Sequence, residues 1–231
     1  MTDALELLEG LAPGISSAKK SLAFGAAADR ARVPVEQAPR HALLLTRLVQ
    51  CANDLDGLND VALRQRLSTA IAKAESVGES LEDAETAADL EAVATDYSTV
   101  GNALSQVIER LKNHWSQLVA QDFVDLAAVG HLLSKISGAE SIGRDLVEIS
   151  TAAQTLANGD PSAEKLAEVA PALRLRRAQT LDAMQAFTGE PEVDAFLGAV
   201  TRQEASLDMV TPKVMSWLTD KGALSAFRVR G

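Results

Sequence analysis

Apolar residues recur at alternating three- and four-residue steps through residues 90–118, which read LEAVATDYSTVGNALSQVIERLKNHWSQL. This spacing predicts a long helix that buries one face. Ala94 and Gly101 widen the apolar face beyond the two positions per heptad that a two-stranded coiled coil needs. A face of that width is typical of a helix in a multi-helix bundle. The seam positions are Leu90, Val93, Tyr97, Val100, Leu104, Val107, Leu111, His114 and Leu118.

The partner of this seam is the first question that the pattern raises. We expect the partner to be the rest of the chain, and self-association through the seam is the alternative. The small residues Ala94 and Gly101 predict that a neighbouring backbone approaches closely there. His114 and Trp115 lie where the seam leaves its register, so they form either a packed end of the bundle or a ligand pocket.

The same periodicity covers most of the remaining chain and predicts an all-α fold. Pro34 and Pro39 predict an extended connector over residues 32–39, and Pro171 predicts a kink or a split in its helix. The alternating tail LSAFRVRG predicts a short strand or an extended arm. We expect an elongated multi-helix bundle with long antiparallel, coiled-coil-like helices and a short extended C-terminal tail. Helices are predicted near residues 2–11, 15–31, 40–55, 61–77, 131–157, 161–188, 191–209 and 212–221.

Local signals for helix ends predict the division of the chain. Asn59 or Asp60, then Asp160, then Thr211 are predicted to cap the helices that follow them. The connector over residues 32–39 and the break at residues 158–161 are the boundary candidates. They give three segments: short helices and the connector over residues 1–39, a long-helix bundle over residues 40–157, and helices with a basic tail over residues 158–231. The third segment packs either separately or as one domain with the second.

Composition narrows the class of protein. The chain has 231 residues, of which 47% are hydrophobic and 3% aromatic, so a sizeable core is built mainly from aliphatic side chains. The net charge of −10 disfavours binding to nucleic acid or to an anionic membrane by the chain as a whole. A single cysteine, Cys51, is expected to be a buried apolar residue in a reducing compartment. The 14 arginines against 8 lysines and the abundant alanine favour a bacterial source with a GC-rich genome.

Export and membrane signals are not found in the sequence. The stretch MTDALELLEGL is acidic and lacks the basic region of a secretory signal. No apolar run approaches the ~20 residues that a membrane-spanning helix needs. We therefore expect a cytoplasmic protein that does not contact a membrane.

No catalytic, metal-binding or nucleotide-binding motif stands out. The histidines His41, His114 and His131 are scattered, and no Glu-x-x-His or HExxH pattern accompanies them. No phosphate-binding GxxxxGK[ST] loop and no GxSxG nucleophile motif occurs. The sequence therefore predicts neither an enzyme nor a cofactor nor a metal.

Charge is the one strongly uneven feature. Residues 75–96 carry eight acidic side chains and no lysine or arginine, whereas residues 174–177 read RLRR and the tail is basic. Such segments are common in interaction proteins, and pairing between acidic and basic helices within the chain is the alternative. The tail contacts a partner or folds back onto the bundle. The candidate partner-binding residues are Arg174, Arg176, Arg177, Trp217, Phe227, Arg228 and Arg230.

These patterns predict a non-enzymatic helical interaction protein, an accessory or scaffolding subunit of a larger bacterial assembly. Its expected partners are other proteins, with self-association as a further option. One alternative is a nucleic-acid-associated module that acts through its local basic patches. Another is a small-molecule sensor with a pocket near His114 and Trp115.

Overall fold

The computed structural model describes the backbone of residues 2–227 and the side chains of residues 23–34, 36–224 and 227. Over these residues the chain forms eight α-helices, three short 3-10 helices and no strand, which confirms the predicted all-α class. The α-helices are α1 (Thr2–Asp54), α2 (Val61–Glu82), α3 (Ala87–Asp122), α4 (Leu126–Leu133), α5 (Glu140–Asn158), α6 (Ala163–Thr188), α7 (Pro191–Thr201) and α8 (Pro212–Asp220). The 3-10 helices are Gly57–Asn59, Leu207–Met209 and Ala223–Ala226.

The chain divides into two compact units. Unit 1 comprises Met1–Gln50 and Leu58–Arg110, and unit 2 comprises Cys51–Gly57 and Leu111–Gly231. Helices α1 and α3 contribute residues to both units. The three sequence segments predicted as domains stay predictions.

Helices α1 and α3 run in the same direction within unit 1. Arg30 of α1 forms an ion pair with Glu91 of α3 at 2.7 Å. Further along both helices, the Tyr97 hydroxyl lies 2.9 Å from Nδ1 of His41. Because the partners advance together along the sequence, the two helices are parallel.

Helix α2 runs antiparallel to α3 in the same unit. Asp60, which precedes α2, pairs with Arg110 of α3 at 2.6 Å. Later in α2, Arg66 donates to the carbonyl oxygen of Gln106 at 3.4 Å. Between these two contacts the residue number rises along α2 and falls along α3, so the two helices are antiparallel. Helices α1, α2 and α3 of unit 1 therefore follow an up–down–up path.

The seam of α3 is covered by the chain itself. Its central residues are at most 4% exposed. This burial agrees with packing against other parts of the chain and leaves no free apolar seam at these residues. From Leu111 onward the buried positions move to Trp115, Val119 and Phe123, at four-residue steps, while His114 is only half-buried. The change of register predicted near His114 is therefore confirmed. The central buried seam residues are Val93, Val100, Leu104, Val107 and Leu111.

One packing expectation on the seam is wrong. A Cβ atom added at Gly101 would meet no heavy atom within 4 Å, so no neighbouring backbone approaches there. A glycine beside the seam predicted close approach, but the space around it depends on how the neighbouring helices are placed.

The connector expected over residues 32–39 is also wrong, because α1 continues through it without a break. A proline inside a helix removes one hydrogen bond and costs about 3 kcal/mol. Packing offsets that cost here, since Ala27, Ala31 and Pro34 are all buried in unit 1. Helix α6 likewise runs unbroken through Pro171, so the predicted split does not occur.

Two other predicted helices are shorter than expected. The helix predicted over residues 131–157 is interrupted between α4 and α5, where Gly138 takes a φ of +87° that other residues rarely adopt. The helix predicted over residues 191–209 ends at Thr201.

The predicted helix caps are mostly confirmed. The Asp60 carboxylate accepts from the backbone N–H groups of α2, and the Thr211 hydroxyl accepts from Val214 of α8. Asp160 is not the cap of α6, because the Ser162 hydroxyl accepts from the N–H of Lys165 instead. Asp160 pairs with Lys112 of α3.

The crossing of α4 and α5 in unit 2 depends on two glycines. A Cβ atom on Gly130 would lie 2.5 Å from the carbonyl oxygen of Gly143, and one on Gly143 would lie 2.5 Å from the carbonyl oxygen of Gly130. Both obstacles are backbone atoms, which cannot rotate away. The hydroxyl of Ser134 donates to the Gly130 carbonyl at 2.8 Å across the same turn of α4.

Gly143→Ala is expected to lower the free energy of unfolding by about 1–3 kcal/mol, because the added methyl group forces the two backbones apart. Gly101→Ala is the matched control in another helix, and it is expected to be neutral or to stabilise by up to about 1 kcal/mol. Chemical denaturation of both variants measures the difference. Equal effects of the two substitutions would show that the crossing tolerates a side chain.

Candidate functional site

Arg174, a predicted partner-binding residue, holds the end of α1 inside unit 2. Its guanidinium donates to the backbone carbonyl of Asp54, the last residue of α1, and to the carboxylate of Asp56. The last carbonyls of a helix have no donor within the helix. A cation at that end also interacts favourably with the helix dipole. Arg174 therefore caps α1.

Arg177 does the same for α3. Its Nε–H donates to the backbone carbonyl of Asp122, the last residue of α3, at 2.9 Å. Its guanidinium lies 3.7 Å from the Asp122 carboxylate and 5.6 Å from the centre of the Phe123 ring. The ring contact adds a cation–π attraction. Because Arg174 and Arg177 are three residues apart, they share a face of α6.

Arg176 pairs with a different helix. Its guanidinium donates to Asp145 at 2.5 Å and to Glu148 at 2.9 Å, both on α5. The hydrogen bonds that Arg176 donates to Glu148 and then to Asp145 raise its pKa. All three arginines of the RLRR stretch are thus engaged within unit 2. Their part in binding a partner stays a prediction.

The two aromatic candidates also pack within unit 2. Trp217 is 8% exposed and meets the ring of Phe187 edge-on at 5.9 Å. Phe227 is half-buried, with its ring 5.5 Å from that of Phe196. For Phe227, this contact agrees with a tail that folds back. Arg228 and Arg230 lie outside the described residues.

The His114–Trp115 step is a packed junction in unit 2. Nε2 of His114 lies 3.0 Å from the carbonyl oxygen of Leu55, so the ring donates there. Trp115 is 1% exposed and packs edge-on against Phe123 at 5.4 Å. Its indole N–H has no acceptor among the described residues. The packed alternative fits this geometry, and a ligand pocket stays a prediction.

Cys51 is buried, as expected. Its thiol is 1% exposed and has only a weak contact, 4.0 Å, with the carbonyl oxygen of Leu166. Burial, followed by the charge of Asp54, raises the pKa of Cys51 to about 12. The thiol is therefore protonated at neutral pH, and a protonated thiol is a poor nucleophile.

A pair that sequence reasoning missed joins α1 to α3 in unit 1. The rings of His41 and Tyr97 are stacked, with centres 5.5 Å apart and planes 7° apart. A neutral His41 accepts the hydroxyl of Tyr97 at Nδ1. The sequence places each residue in a predicted helix. Their contact depends on the register between α1 and α3, which the sequence pattern does not give.

Most carboxylates of the acidic segment, residues 75–96, form no ion pair with the residues whose side chains the structure describes. Asp89 accepts from the backbone N–H and the hydroxyl of Thr86 and so caps α3, which lowers its pKa. Glu91 pairs with Arg30. The other six acids are exposed and form no ion pair with the described residues of the chain. They are Glu75, Glu79, Glu82, Asp83, Glu85 and Asp96.

Metal and membrane features are not found in the part of the chain that the structure describes. No three side chains of His, Cys, Asp or Glu gather there as metal ligands. None of the helices described is both long and apolar enough for a bilayer crossing. Comparison with known proteins gives no match to any family model, curated protein or solved structure.

Arg177→Ala is expected to lower the free energy of unfolding by about 1–2 kcal/mol, because the last carbonyl of α3 loses a charged donor. Arg176→Ala removes an equal charge from the same helix but only two exposed ion pairs, so a loss below about 1 kcal/mol is expected. Denaturant titrations of the two variants provide the comparison. A larger loss from Arg176→Ala would contradict the capping role of Arg177.

Tyr97 is expected to titrate above the ordinary range of a phenol, because burial raises its pKa. Since the pKa is raised in the folded state, the associated stability is complete below the pKa of the unfolded phenol. It is lost as pH rises towards the folded pKa. Tyr97 is the single tyrosine, so ultraviolet absorbance of the phenolate reports it alone. A midpoint equal to that of the denatured chain would contradict the expectation.

Proposed function

We propose that this protein is a non-enzymatic helical interaction protein, an accessory or scaffolding subunit of a larger bacterial assembly. The observation that carries the proposal is the uneven use of charge. The RLRR arginines are paired within unit 2, whereas six carboxylates of the acidic segment are exposed and unpaired among the described residues of unit 1. A basic surface on another protein is the partner that such a segment suits.

Part of the acidic segment lies at the C-terminal end of α2, where its charges disfavour the helix. Glu75, Glu79 and Asp83 follow at four-residue steps, so like charges are neighbours at the end of α2. Glu79 and Asp83 also lie at the C-terminal end of that helix, where the dipole disfavours negative charge. The arrangement does not help the fold, which favours a role outside it.

The resolved pKa shifts belong to hydrogen-bonded, ion-paired or buried groups. Groups that transfer protons in catalysis work best with a pKa near the working pH. Each shift resolved among the described residues moves its group away from neutrality. Burial raises the pKa of Cys51, hydrogen bonds from Thr86 lower that of Asp89, and Glu190 raises that of Lys213.

Neutralising Glu75, Glu79 and Asp83 together, as Glu75→Gln, Glu79→Gln and Asp83→Asn, is expected to weaken partner binding about tenfold. Three charges worth ~0.5 kcal/mol each account for that factor. Capture of tagged full-length protein from extracts of its own host, at low and high salt, measures the loss by quantitative mass spectrometry. The variant is expected to unfold at the same temperature as the wild type or higher, since like-charge repulsion is relieved.

A matched variant controls for the change in net charge. Glu109→Gln, Glu168→Gln and Asp182→Asn change the net charge equally at exposed positions outside the acidic segment. This variant is expected to hold its partner like the wild type. Equal capture by both variants would remove the acidic segment from the proposal, and recovery of the bait alone would contradict the subunit role.

A nucleic-acid-associated module remains the alternative for the basic patches. Asp56, Asp122 and the acids of α5 compete with phosphate for the arginines of α6. No retardation of DNA or RNA is therefore expected in a gel-shift assay at ~50 mM salt, where phosphate contacts are strong. Retardation that fades as salt rises would favour the alternative instead. A sensor role near His114 and Trp115 would show itself as a rise in melting temperature with ligand.

A further inference from the structure

We draw no further inference here: the strongest candidate, the stacked and hydrogen-bonded side-chain cluster of His41 and Tyr97 between α1 and α3, joins two helices of unit 1, and nothing among the described residues shows a ligand or a second arrangement for it to control.

Discussion

Unit 2 depends on the way α6 satisfies the ends of two other helices. Arg174 and Arg177 supply donors to the last residues of α1 and α3, whose terminal carbonyls lack partners inside their own helices. The guanidinium also brings positive charge to the negative end of each helix dipole. One face of one helix thus supplies donors to the ends of both α1 and α3.

This arrangement pairs the basic stretch of an acidic protein with carboxylates and helix ends of its own unit. Arg176 is held by two carboxylates of α5, while its neighbours are held at helix ends. Each guanidinium offers a planar set of donors that suits carboxylates and carbonyls, which a lysine ammonium does not match. The surplus of acid in the chain therefore remains largely elsewhere, and the acidic segment is where it is most concentrated.

The sequence predicted the features that depend on neighbours along the chain. Asp60 and Thr211 cap helices because a short polar side chain reaches N–H groups two or three residues ahead, so their roles can be read locally. The seam of α3 and its change of register near His114 could be predicted from spacing alone. The roles of Arg174 and Arg177 could not, because their partners lie about 120 and 55 residues away along the chain. The unbroken path of α1 through Pro34 follows from packing in unit 1, which outweighs local propensity.

The acidic segment shows why stability and function need separate explanations. Asp89 caps α3 and Glu91 pairs with Arg30, so these two acids form stabilising contacts within unit 1. Glu75, Glu79 and Asp83 have none among the described residues, and their spacing and position at the end of α2 oppose that helix. Surface positions of this kind tolerate substitution with little effect on folding. The proposed partner with a basic surface would account for eight acids without one basic residue over this stretch, which these contacts within unit 1 do not require.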